Sequence, residues 1–224
     1  MPQIVAIDVL KKAAAATPRQ PLSPLRARLC GEALALARAE ALVDARASYR
    51  IVPLTMAEGG RLCLDGETLE APWLLPASGT LTAVACAVCT LGGMLERRVS
   101  DLFVERRAAL AVALDALANE LLFVLSRQVQ DRILAEARKA GLTMAGELRA
   151  GDPGLALAAQ GTVLRLADGA AIGVRVTSGG MMHPVKSTSL VQGVGLALPA
   201  ASWSRCEHCP SRARCAVATQ AASA

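Results

Sequence analysis

Leu25, Leu29, Leu36 and Val43 recur at helical spacing, and Ser23-Pro24 ahead of them supplies a capping hydroxyl and a residue suited to the first helical position. The pattern predicts a helix from Ser23 to about Arg46. Residues 49–54 and 61–64 read as short strands, with turns at Gly59-Gly60 and Asp65-Gly66, so 49–70 is expected to form a small β-meander. Residues 81–90 are an apolar run bounded by glycines, as in a buried strand. Helical spacing then returns over about 93–103, and over about 104–140 with Leu110, Leu114, Leu117, Leu121, Val124 and Leu125 on one face and Gly141 as the stop. Residues 151–161 read as a loop with a short helical piece, and 173–177 alternate like a strand. Gly179-Gly180 breaks that strand, and strand character continues to about Leu198.

The order of these elements predicts an α+β domain, with one twisted antiparallel or mixed sheet flanked by helices. No repeat or linker divides it. Residues 1–22 read as an N-terminal extension, 23–200 as the domain, and 201–224 as a cysteine-bearing tail.

Composition changes this picture in two ways. The 224 residues are 53% hydrophobic but only 2% aromatic, so the core must be built from Ala, Leu and Val. The formal net charge of +5 is mild, and basic residues interleave with acidic ones, as in Glu96-Arg97-Arg98, which argues against nucleic-acid binding. The longest uncharged stretch, 71–95, contains two prolines and three glycines and reads as strands and turns rather than a membrane span. No secretory signal opens the chain, and a cytoplasmic location is expected. There, seven cysteines, an odd number, suggest thiolate chemistry or burial rather than a disulfide framework.

Three of those cysteines, Cys206, Cys209 and Cys215, stand at C-x2-C-x5-C spacing, with Arg205, Arg212 and Arg214 beside them. Arginines favour the thiolate form, and a turn at Pro210 lets the three converge on one centre. An iron–sulfur cluster is the first expectation and zinc the alternative; either wants a fourth ligand, from Cys30, Cys63, Cys86, Cys89 or His208. Cys86 and Cys89 also read C-x2-C, but three residues apart on a strand they point to opposite faces and cannot share a metal. Hydrolase signatures and Walker loops are absent, and only two histidines, His183 and His208, are present.

Four segments in order carry a resemblance: CTLGGMLERRV with Thr90, Gly92 and Glu96; ALDALANELL with Asp115 and Glu120; Arg149 followed by Pro153-Gly154; and TSGGMMHPVKSTS, residues 177–189. Together with the cysteine cluster, they resemble the reactivation domain of cobalamin-dependent methionine synthase in its shorter stand-alone homologues. The resemblance implies a groove for S-adenosylmethionine, whose methyl group traps a reduced corrinoid held mainly by a partner protein. It implies that Arg149 pairs with the ligand carboxylate, that Pro153 and Gly154 let the backbone approach it, and that Met182, Pro184 and Lys186 line the groove. Leu155 stands where the family has Tyr, which removes a hydroxyl and a stacking face. Read alone, Met181 and Met182 are core filler and Lys186 is a solvated charge.

The expected function is therefore an accessory role to a corrinoid-dependent methyltransferase, in reductive activation of cobalamin or in docking its carrier. The alternatives are a non-catalytic corrinoid-protein binding module with structural zinc, and a methyltransferase subunit using S-adenosylmethionine or methylcobalamin.

Overall fold

The computed structural model describes residues 1–11 and 23–199. Nine strands are present among them: β1 (Gln3–Ala6), β2 (Arg46–Glu58), β3 (Arg61–Leu64), β4 (Glu67–Glu70), β5 (Thr80–Thr90), β6 (Thr143–Leu148), β7 (Arg175–Val176), β8 (Met182–His183) and β9 (Ser187–Leu196). The helices are α1 (Pro24–Ala39), α2 (Met94–Val104), α3 (Ala108–Lys139) and α4 (Gln160–Leu166). Seven strands make one sheet in the order β4-β3-β2-β5-β9-β6, with β1 paired to the first half of β2; β7 and β8 form a separate hairpin. Every pairing is antiparallel, which resolves the mixed-or-antiparallel alternative.

The sheet is covered on both faces, so its centre is apolar on both. Along β5, Ala83, Ala85, Ala87 and Cys89 face α1, α2 and α3, and join Leu95, Leu102, Leu114, Leu121, Leu125, Val129 and Ile133 in one core. Val84, Cys86 and Val88 face the other way, into a second core with Leu62, Leu64, Leu69, Leu148, Leu155 and the α4 residues Val163, Leu164 and Leu166. The alanines of β2 and β5 let the helices settle close to the sheet, so a core this poor in aromatic residues still packs.

Local chemistry explains the helix ends. Ser23 Oγ accepts from the Arg26 N–H at 3.4 Å, with Pro24 at the first helical position of α1. At the end of α3, the Gly141 N–H donates to Arg138 O (3.0 Å) and the Leu142 N–H to Ala137 O (2.9 Å). This paired closure needs a residue with φ near +71°, as Gly141 has. By length and composition alone α3 could cross a membrane; here its buried residues form the spine of the helix-side core.

Some expectations need correction. The first helix ends at Ala39, not near Arg46, and it buries Ala33 and Ala37 while Leu25 is exposed. The small residues face inward because α1 packs tightly on α3, while Leu36 and Val43 lie at the edge of that core. Strand β6 and helix α4 carried no clear pattern and were not expected. Residues 3–6, within the stretch read as an extension, are a strand of the sheet.

Candidate functional site

One end of the sheet gathers most of the polar side chains singled out above. There β5 ends at Thr90, opposite Ser187 at the start of β9, and β6 runs out at Leu148, opposite Val191. Strand alternation sends Thr188 of β9 to the helix side, with Leu190, and Lys186, the residue before β9, continues the same alternation. Arg149, the residue after β6, reaches the same side because β6 carries a bulge. Met144 and Arg149 are an odd number of residues apart, yet both lie towards α3. The register shifts between Ala145 and Leu148, and Gly146 sits at φ +70°, a conformation that takes up one residue.

Arg149 is held under α3 with its side chain 16% exposed. Its Nε and Nη2 both donate to Glu147 Oε1, at 3.1 and 2.9 Å. Nη1 donates to Thr188 Oγ1 at 3.1 Å, and Nη2 also donates to Ser126 Oγ at 3.2 Å. The Phe123 ring, largely exposed, lies with its centroid 6.0 Å from the guanidinium carbon, at the outer reach of a cation–π contact. One strand over, Lys186 Nζ lies 2.7 Å from Asp115 Oδ1 and donates to Asn119 Oδ1 at 2.8 Å, with its side chain 10% exposed. The solvated charge expected of Lys186 is thus corrected: it is buried against the polar stripe of α3.

The approach to this pair is built by two turns. The Arg149 N–H donates to Asp152 Oδ2 and the Asp152 N–H returns to Arg149 O, both at 2.8 Å, while the Gly151 N–H closes on Leu155 O at 2.9 Å. Leu155, at the family's Tyr position, is buried in the second core. On the other turn, the Val185 N–H donates to Glu96 Oε2 at 2.6 Å, and His183 Nδ1 stands 3.8 Å from Glu96 Oε1. The His183–Pro184 peptide is cis. Gln160 Nε2 donates to Gly180 O at 2.7 Å, tying α4 to the β7–β8 turn.

Of the residues expected to line a groove, Arg149 and Lys186 are brought to the same face, and Pro184 lies on the turn leading to Lys186. Met182 is half-buried and packs on the second core, consistent with its reading as filler, whereas Met181 is exposed. Pro153 follows Asp152 in the Arg149 turn. Gly154 turns its open face to Trp73: a Cβ there would lie 2.6 Å from the indole Cγ. The close approach that Gly154 permits is therefore made by an indole of the protein itself. Trp73, Glu147, Thr188 and Ser126 were not anticipated as site residues. Ser126 and Gln130 left the one legible signal, polar residues on the apolar stripe of α3; both are buried, and Gln130 Nε2 donates to Ser126 Oγ at 3.3 Å.

The expected metal ligands Cys206, Cys209 and Cys215 lie outside the described residues, as does His208. Among the described residues, no group of three or more His, Cys, Asp or Glu side chains could hold a metal ion. Cys86 and Cys89 do point to opposite cores, as their spacing required. Burial pushes each thiol up to about 12, only partly opposed by Arg50 near Cys86 and Arg149 near Cys89. Both stay protonated near neutral pH and are poor ligands. Cys30, exposed, and Cys63, half-buried, are the described cysteines left as a fourth ligand.

No family model matches the chain, and no curated protein matches it by sequence. Solved structures do match. One is the crystal structure of the MetH reactivation domain bound to AdoHcy, at a TM-score of 0.67 and 13% identity, over 91% of this chain and 80% of that one. The shared feature is the fold: a single α+β domain with an antiparallel sheet flanked by helices.

Proposed function

We propose that this protein is an accessory of a corrinoid-dependent methyltransferase, supporting reductive activation of the cobalamin or docking the protein that carries it. The observation that carries the reading is the reactivation-domain fold along almost the whole chain. That fold gathers Arg149, Lys186 and the Pro184 turn at one end of the sheet. A half-buried guanidinium fork suits a carboxylate, and the neighbouring MetH structure is bound to AdoHcy, which bears one. S-adenosylmethionine or its product is thus the small-molecule ligand to test. Cys206, Cys209 and Cys215 would hold the metal centre, and an iron–sulfur cluster there would supply single electrons in a cytoplasmic setting.

A second reading, a docking module with structural zinc, draws on a specific observation. Arg149 and Lys186 are already paired with carboxylates of the protein, and the family's Tyr position is filled by a core leucine. Metal and acid-labile sulfide analysis, with a visible spectrum, separates the two on protein purified without oxygen. Iron, sulfide and a dithionite-bleached absorbance, all lost in Cys206→Ala, are the expected result. Zinc without iron would leave the docking reading, and a protein free of both metals would remove the centre altogether.

A further inference from the structure

Among the described residues, Glu147 pairs with the Arg149 fork, and nothing in the sequence pointed to it. Three features define the contact. First, Glu147 is two residues before Arg149, so the partners are tethered and their encounter is intramolecular. Second, the Gly146 bulge re-aims the end of β6, which brings both side chains to the α3 side of the sheet. Third, the contact is one-sided: a single oxygen, Oε1, accepts from both Nε and Nη2. A free carboxylate approaching the same edge could place one oxygen on each nitrogen, which is the stronger geometry. Thr188 accepts from the remaining nitrogen, Nη1, and Ser126 shares Nη2 with Glu147; together they would hold the fork in place during such an exchange.

We infer that Glu147 is an internal competitor for the Arg149 fork, setting the affinity and selectivity of this end of the sheet for ligands that carry a carboxylate. The inference rests on the proposed adenosyl-ligand reading. Glu147 occupies the fork when ligand is absent, and a ligand carboxylate enters by displacing it. Ligands with the same nucleoside but no carboxylate do not meet this competition. Glu147 therefore lowers the advantage that the amino-acid moiety would otherwise give.

Calorimetric titration of the full chain with AdoHcy and with 5′-methylthioadenosine, which lacks the amino-acid moiety, tests this. The variants are Glu147→Gln and Glu147→Ala, each first checked for native circular dichroism and thermal unfolding. AdoHcy should bind either variant about tenfold more tightly than the parent, the scale of one displaced half-buried ion pair. 5′-Methylthioadenosine should bind all three alike, and adding Arg149→Met to Glu147→Gln should abolish the gain. Equal or weaker AdoHcy binding in both variants, with the nucleoside still bound, would overturn the competitor role alone. If neither compound binds any of the proteins, the adenosyl reading falls and the competitor role falls with it.

Discussion

Gly154 and Trp73 meet so closely that the glycine has no spare volume. A methyl group would lie within 2.6 Å of the indole at a residue whose φ is +85°, so both the contact and the backbone oppose it. Gly154→Ala should lower stability by about 1–3 kcal/mol, read as a fall in thermal midpoint together with a changed Trp73 emission. An unchanged midpoint and spectrum would mean that the indole moves aside freely. At this scale the sequence was partly legible. Arg149 could be singled out through the resemblance of Arg149 and Pro153-Gly154 to a family loop, with which the affinity of a guanidinium fork for carboxylates agrees. Its partners could not, because Glu147, Ser126 and Thr188 come from three elements whose alignment is set by tertiary packing. Lys186 was misread for the same reason: no local pattern shows that Asp115 and Asn119 will stand over it.

Among the elements, β6 was the least legible. Its glycine interrupts the period-two alternation, so neither strand nor helix spacing emerges from six residues. The bulge that hides the strand also puts Arg149 on the helix side. Gly146→Val would force a branched side chain into φ +70°, with its Cβ 3.2 Å from Leu74. It should cost roughly 1–3 kcal/mol and weaken AdoHcy binding more than a distant mutation of equal thermodynamic cost, a comparison that calorimetry and denaturant titration can make. Across the second face, Arg165 donates to both oxygens of Glu67, at 2.6 and 2.9 Å, and ties α4 to β4. These hydrogen bonds hold the Glu67 carboxyl below its ordinary range. A folded-state value lower than the unfolded one gives stability that is present above the unfolded value and lost as pH falls through the folded one. The midpoint difference between the parent and Glu67→Gln should therefore be largest near neutral pH and shrink under acid conditions. A difference that stays constant down to strongly acidic pH would remove this carboxylate from the acid response.

For the whole molecule, the fold class followed from the order of helical and strand patterns. The strand order did not, since nothing local says that β9 enters between β5 and β6. Sequence periodicity did resolve one long-range fact: Cys86 and Cys89 belong to opposite cores. The arrangement makes the central strand a reporter of how the protein breathes. Each thiol reacts only when the layer above it lifts, because burial keeps it protonated and covered until then. With every other cysteine replaced by serine, Cys89 labelling measures the opening of the α1–α2–α3 layer, and Cys86 labelling that of the smaller α4 and β3–β4 layer. We expect Cys86 to label faster in water, with the two rates converging as denaturant rises. Equal rates at all denaturant concentrations would mean that the two faces of the sheet are uncovered in a single event.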